Sequence, residues 1–427
     1  MGRPPKAKTP ETQTTASPFT QTKTPTGQDT DFSAELIKQV NKDIGSKIMF
    51  NLGAGDAPTV VHRWISTGSR QLDYTISNLV GTNGGLPEGR IIEIQGPTGC
   101  GKSHIAFEIA KDTQRKGGLV VYVDTENATS IENLEALGIN VRRRFAFVQT
   151  SCTEEVFKVI EATILKARSM AADIPVTVIW DSVANTSPKA ELEGDYDANT
   201  IGLQARVLGK GLRKITNVIG GQHVILVCLQ QQREKIGVMY GDPSTTPGGK
   251  ALPYASSVRI KVGAGKPILK TVDGKERTIG VGVTAKVIKN RMSPPFREVE
   301  FEIHFGKGVR EAEQVFDYMR EWCDKHQDKP CIYSGKRLSI AGTSAWKTFT
   351  IADPNTGEVF EEVKFYKTEF GEKVLYNPKY TNEITALFDS AYIMRPDDTD
   401  HATFAGVDGE AAEDVEAANT TANDLDA

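Results

Sequence analysis

The sequence predicts an α/β fold in which a mostly parallel central sheet carries helices on both faces. Three observations predict it. Gly96-Pro97-Thr98-Gly99-Cys100-Gly101-Lys102-Ser103 reads G-x-x-x-x-G-K-S, between a mostly apolar run, Ile91 to Ile94, and a helical pattern in which Ile105, Ile109 and Ala110 share a face. Apolar β-type runs at 91–95, 119–124, 145–149, 176–181 and 224–230 alternate with helical stretches near 103–116, 129–137, 153–170 and 199–219. Those runs are nearly continuous in apolar residues, as strands covered on both faces are. Ligands of such sheets gather at the carboxyl ends of the strands, so the polar residues there are the candidates for chemistry.

The bulk numbers set wide bounds. A chain of 427 residues with 39% hydrophobic and 25% charged residues and a net charge of −4 has an ordinary globular balance, with length for two or three domains. Nothing in that balance demands a nucleic-acid partner, so a DNA-binding surface has to be local. Cys100, Cys152, Cys228, Cys323 and Cys331 form no C-x-x-C pair, which argues against zinc and fits a reducing, cytoplasmic setting better than a disulfide framework. No apolar run approaches membrane-spanning length, and the N-terminus lacks the apolar segment of a signal peptide.

Taken in order, residues 1–30 are rich in Thr, Pro and Gln and read as a disordered leader. Over 31–57, Phe32, Leu36, Ile37, Val40 and Ile44 recur at helical spacing ahead of a glycine-containing linker, Asn51 to Ala57. That helix either caps its own domain or docks on a second copy, and periodicity alone favours the first. The core spans 58–310. After 250 its pattern changes to closely spaced strands at 256–262, 280–289 and 297–305, an antiparallel extension of the same sheet. Residues 311–395 form a small α+β module with helices near 312–326 and 381–391. Residues 396–427 read as an acidic disordered tail; from Asp397 on it has no Lys or Arg.

The eight-residue motif is a P-loop, which binds a nucleoside triphosphate. Its glycines turn backbone N–H groups toward the phosphates at a helix N-terminus, which already favours negative charge. Lys102 is expected on the β- and γ-phosphates, and the Ser103 hydroxyl on Mg²⁺. Asp181 ends the run Val176-Thr177-Val178-Ile179-Trp180 and suits the second Mg²⁺ position. Glu126, just past the 119–124 run, suits a general base for the attacking water, with Asp124 competing for the role. Where the last core run opens into a loop, Gln230, Gln231 and Gln232 each could place an amide on the γ-phosphate, and spacing does not choose among them.

Two long loops leave the same sheet edge, 193–202 and 232–250. The second mixes cations, apolar groups and glycines, a combination that suits phosphate contacts and wedging between bases. At these residues the chain resembles the bacterial RecA family, recombinases that polymerise on single-stranded DNA. The resemblance runs over about 35–310. It is carried by Ser66-Thr67-Gly68-Ser69, Gly85–Arg90, the P-loop, Asp181-Ser182-Val183-Ala184, Pro188-Lys189-Ala190-Glu191, Ile236–Gly241, Thr245–Leu252 and Lys286–Asn290.

That resemblance implies a DNA-dependent ATPase core that uses ATP and Mg²⁺ and forms a helical filament of copies on single-stranded DNA. Such a filament carries out homologous pairing and strand exchange with duplex DNA. It implies Glu126 as the catalytic carboxylate, Gln231 as the γ-phosphate sensor, and Lys289 and Arg291 as cations that reach a neighbour's ATP. It implies that Ile201, Arg206, Arg213, Arg233, Ile236, Met239, Tyr240, Gly248 and Gly249 meet DNA, with Ile236 wedging between base triplets. It also turns the 32–44 helix into an arm that docks on an adjacent protomer.

The chain departs from the family at several points. Arg291 replaces a lysine, Asn133 stands where a tyrosine stacks on adenine, and Thr98-Gly99-Cys100 replaces Glu-Ser-Ser. These departures point to a divergent or phage-encoded member. Two rival functions use the same core: a ring helicase, which unwinds duplex as a hexamer, and a DNA-coating scaffold with negligible turnover.

Overall fold

The computed structural model describes residues 32–395 apart from 56, 83, 128, 171–172, 196–201, 235–243, 246–247, 328 and 344. The expectations for the leader and the acidic tail lie outside the described residues. Two units are present, one ending at Val60 and the other beginning at Val61. In the first, α1 (Phe32–Ile44) is amphipathic yet buries none of its residues, and Phe32 is 78% exposed. After it the chain folds back, with Asn41 Oδ1 accepting the backbone N–H groups of Ile48 and Met49.

The second unit opens with β1 (Trp64–Ile65), α2 (Arg70–Ser77) and β2 (Leu86–Pro87), β1 and β2 pairing antiparallel. Ser69 caps α2 by accepting the Leu72 N–H. Asp73 reaches back from the first turn to accept the Thr67 N–H and hydroxyl, which accounts for the Ser66–Ser69 segment. The alternating core follows: β3 (Arg90–Gly96), α3 (Lys102–Arg115), β4 (Leu119–Asp124), α4 (Ile131–Ala136), β5 (Phe145–Gln149), α5 (Thr153–Met170) and β6 (Val176–Asp181). Next come α6 (Lys189–Leu192), α7 (Leu203–Ile219), β7 (Val224–Gln231), the short β8 (Arg233–Glu234) and β9 (Ser244–Thr245), and α8 (Ala251–Ala255). The sheet is completed by β10 (Val258–Val272), β11 (Lys275–Asn290), β12 (Glu298–His304) and β13 (Gly308–Val309).

These strands form one nine-stranded sheet in the order β13-β12-β11-β10-β3-β7-β6-β4-β5. From β10 to β5 every pairing is parallel, and β10, β11, β12 and β13 add antiparallel. Alternate residues of one strand feed opposite cores, as a doubly covered sheet requires. Ile92, Ile94, Tyr122 and Ile179 join Ile105 and Ile109 of α3, whereas Val121, Val123, Val178 and Trp180 join Phe157 of α5 and Leu212 of α7.

Three boundaries differ from the sequence reading. Helix α7 starts at Leu203 rather than 199, because Gly202 takes a left-handed conformation (φ 72°) ahead of it. The strands expected at 256–262 and 280–289 continue to Val272 and back to Lys275. Their outer halves pair as a ribbon closed by Asp273 and Gly274, both at positive φ, a two-residue hairpin turn signalled by the Asp-Gly pair. The aromatic stretch after 330 is a three-stranded antiparallel sheet. In chain order this last part is α9 (Glu311–Lys325), β14 (Arg337–Ala341), β15 (Trp346–Ala352), β16 (Val359–Tyr366) and α10 (Thr381–Tyr392). Its core of Phe316, Phe349, Phe365, Phe370 and Phe388 also takes in Tyr74 of α2, and Arg70 pairs with Glu311. Residues 311–395 therefore pack against α2 within the same unit.

Candidate nucleotide and nucleic-acid site

The P-loop links the end of β3 to the start of α3. A Cβ at Gly96 would lie 2.2 Å from the Val262 carbonyl oxygen, so β3 and β10 approach closely there only because position 96 lacks a side chain. Lys102 curls over the loop it ends, donating from Nζ to the carbonyls of Gly96 (3.0 Å) and Pro97 (2.7 Å). Cys100 is buried beneath, and burial pushes its thiol up, so it packs as a small apolar group rather than as a thiolate.

Strand register then delivers the carboxylates. Asp124 and Asp181 are paired residues at the ends of the adjacent strands β4 and β6. Ser103 Oγ donates to Asp181 Oδ2 at 3.5 Å, and the Tyr122 hydroxyl donates to the same oxygen. Burial raises the Asp181 carboxyl above the ordinary range, and the Tyr122 hydrogen bond opposes that rise. A hydroxyl beside a carboxylate is hard oxygen donor chemistry, and it fits Mg²⁺, which keeps several waters and takes few protein ligands.

Asp124 and Glu126 separate by their partners. Asp124 accepts the N–H groups of Glu126 (2.9 Å), Asn127 (2.8 Å) and Thr129 (3.1 Å), so both its oxygens are spent on the turn after β4. That turn presents Glu126, whose Oε1 accepts from Asn185 Nδ2 (3.0 Å), Gln231 Nε2 (2.5 Å) and the Ser182 hydroxyl. Among the described residues nothing hydrogen-bonds to Glu126 Oε2. The three glutamines also separate: Gln230 is buried, whereas Gln231 is the register partner of Gly96 at the end of β7 and turns to the P-loop side. The Gln232 N–H donates to the Gly96 carbonyl, joining the loop beyond β7 to the root of the P-loop. Tyr122, Ser182 and Asn185 were not singled out from the sequence. Tyr122 lies two residues before Asp124, so strand alternation is the signal that finds it.

Arg206 and Arg213 are exposed on α7, seven residues apart and therefore on one face, with Lys210 exposed between them. The opposite face buries Leu208, Leu212, Ile215 and Ile219. Gly248 (φ 91°) and Gly249 (φ 73°) lie against this helix, and a Cβ on Gly248 would come within 2.9 Å of Leu208 Cδ1. Strands β8 and β9 pair antiparallel across the base of the 232–250 loop. Arg233 falls on β8, but its side chain lies outside the described residues, as do Ile201, Ile236, Met239 and Tyr240.

Lys289 and Arg291 are not brought to the P-loop of their own chain. Lys289 Nζ donates to the carbonyls of Pro253 (2.7 Å) and Tyr254 (3.2 Å), and Arg291 Nη2 to that of Tyr254 (3.4 Å). Register sets Lys289 beside Arg259, which pairs with Glu93, three residues before Gly96 on β3. Strand rise makes that about 10 Å.

Known proteins are similar to this chain over most of its length. A family model described as the RecA N-terminal domain matches residues 32–310. The protein RecA of Wolinella succinogenes is 34% identical over 382 residues, covering 89% of this chain and 96% of that protein. The protein RecA of Helicobacter hepaticus is 35% identical over 82% of this chain and 90% of its own length, and that of Thermus aquaticus is 39% identical over 64% and 75%.

Proposed function

The chain belongs to the RecA family, and from that premise we infer how its residues divide the work. It is a DNA-dependent ATPase that uses ATP with Mg²⁺, assembles as a filament on single-stranded DNA, and catalyses homologous pairing and strand exchange with duplex DNA in recombination and repair. Among the described residues no helix is long and apolar enough to cross a membrane; we propose the cytoplasm as its location.

In our reading the P-loop N–H groups and Lys102 hold the β- and γ-phosphates, and Ser103 and Asp181 hold Mg²⁺. When bound, the ion neutralises charge on the phosphate oxygens. Glu126 takes the proton of the attacking water through Oε2, because its other oxygen is loaded by Ser182, Asn185 and Gln231. Lys289 and Arg291 approach the γ-phosphate from a neighbouring protomer, since their own P-loop is beyond reach. Helix α1, with its apolar stripe uncovered, serves as the arm that docks on that neighbour.

The observation that carries this reading is the 2.5 Å bond from Gln231 to Glu126 at the last residue of β7. One amide stands between the catalytic carboxylate and the root of the 232–250 loop. A γ-phosphate competes with Glu126 for that amide, so nucleotide state is passed to the loop by exchange of a hydrogen-bond partner. Electron microscopy tests it. Filaments on single-stranded DNA are expected with ATP and Mg²⁺ and not without nucleotide; rings or monomers under every condition would overturn it.

A further prediction concerns the loop. Gly248→Asp puts a Cβ into a left-handed position against Leu208 and adds an anion to the loop that we read as the DNA site. It should weaken binding to a fluorescent oligonucleotide about tenfold, since such strain costs roughly 1–2 kcal/mol. Binding of ATP should be unaffected; the reverse pattern would mean that DNA does not bind at this loop.

A further inference from the structure

One row of register partners crosses the middle of the sheet and changes character half-way. Val123, Trp180 and Cys228, on β4, β6 and β7, are buried and apolar. The row then continues as Glu93 on β3, Arg259 on β10 and Lys289 on β11. Glu93 is 0% exposed. Arg259 grips it with Nε (2.7 Å) and Nη2 (3.5 Å), and the same Nη2 reaches Gln95 Oε1 (3.1 Å). Two cations directly opposite each other, Arg259 and Lys289, repel, and a carboxylate on a central strand is costly to bury. Fold stability favours an apolar triplet at these positions. The row makes sense if the cations are wanted where they stand.

We propose that Glu93 is a positioning residue for hydrolysis: through Arg259 it fixes where Lys289 and Arg291 stand as they reach the neighbouring protomer's nucleotide. This rests on the assignment of Lys289 and Arg291 to that neighbour. The Glu93–Arg259 pair anchors one side of Lys289, and the carbonyls at the end of α8 anchor its tip. Because α8 directly follows Gly248-Gly249-Lys250, the cations are hung between a rigid ion pair in the sheet and the element that continues the DNA loop. The charged groups facing Lys289 are Glu93 on β3, Arg259 on β10 and Arg291 just past β11, with Arg90 of β3 facing Arg291 in turn. Burial and the two arginines push the Lys289 amine down, and Glu93 holds it up.

Two experiments separate this inference from the assignment beneath it. Lys102→Ala and the double variant Lys289→Ala/Arg291→Ala should each be inactive alone. Mixed in equal amounts they should regain DNA-stimulated hydrolysis, since about a quarter of the interfaces of a head-to-tail assembly then join an intact P-loop to intact cations. No recovery overturns the assignment itself. With recovery seen, Glu93→Gln should lower kcat about tenfold, within the cost of a small misplacement, with KM for ATP unchanged.

Glu93→Gln should also move the alkaline fall of kcat to lower pH, because Lys289 loses the carboxylate that faces it from β3 and its neutral form gains. Adding Lys289→Arg should cancel that shift, as guanidinium stays charged, and Glu93→Asp, which keeps the charge, should not show it. Any one of three results overturns the positioning role: an unchanged kcat and pH profile in Glu93→Gln, an equal shift in Glu93→Asp, or a rise in KM that matches the fall in kcat.

Discussion

Replacing Lys102 by alanine is expected to abolish ATP hydrolysis. The Lys102 ammonium lies over the loop within 3.0 Å of the Gly96 and Pro97 carbonyls, at the loop we propose for the phosphates. Loss of a single preorganised donor to developing charge costs about 10²–10³ in kcat, and this donor also brings a full charge to the bound triphosphate. Position 102 begins α3, and alanine is a good helix former there, so the fold should survive and the circular dichroism spectrum should not change. Phosphate release measured with saturating single-stranded DNA checks the expectation, and unaltered turnover would refute the P-loop assignment.

The Glu126→Gln variant should separate binding from chemistry. A glutamine keeps an oxygen that can accept from Ser182, Asn185 and Gln231, so the hydrogen bonds that tie position 126 to the end of β7 are retained. What is lost is the proposed proton acceptor, and a general base contributes about 10²–10⁴-fold. ATP and DNA should therefore bind with affinities near those of the unaltered protein while turnover falls by that factor. Filaments should persist after free ATP is removed, because disassembly waits on hydrolysis. Parallel measurement of turnover and of filament lifetime by light scattering decides it. Full activity would move the base to another residue, and Asp124, with both oxygens committed to backbone N–H groups, is poorly placed to take over.

The two variants differ in what they test. In the proposed assignment Lys102 acts in holding the nucleotide, whereas Glu126 acts only once it is held. If Lys102→Ala fails to form filaments and Glu126→Gln forms long-lived ones, nucleotide occupancy is the assembly signal and hydrolysis the release signal. That outcome matches the placing of Gln231 between the carboxylate and the loop.

Much of this protein could be read without coordinates, for physical reasons that lie close together in the chain. The P-loop is eight consecutive residues whose chemistry depends on backbone shape, so Gly96 to Ser103 announce it locally. The bounds of β4, β5, β6 and α5 follow from apolar runs and their spacing, since burial on both faces leaves few polar residues within a strand.

What depended on register did not show. Burial of Gln230, the pairing of Gln231 with Gly96 and its bond to Glu126 distinguish Gln231 from its two neighbours, and the turn after β4 separates Asp124, bound to the backbone, from Glu126. The contact of Tyr122 with Asp181 and the row from Glu93 through Arg259 to Lys289 join residues as far as 196 positions apart. Local composition therefore determined that a triphosphate binds and on what kind of sheet, because those properties reside in short stretches of backbone and in periodic burial. Which side chain meets which across the strands was decided by the tertiary structure alone, because a one-residue change of register turns every such side chain to the opposite face.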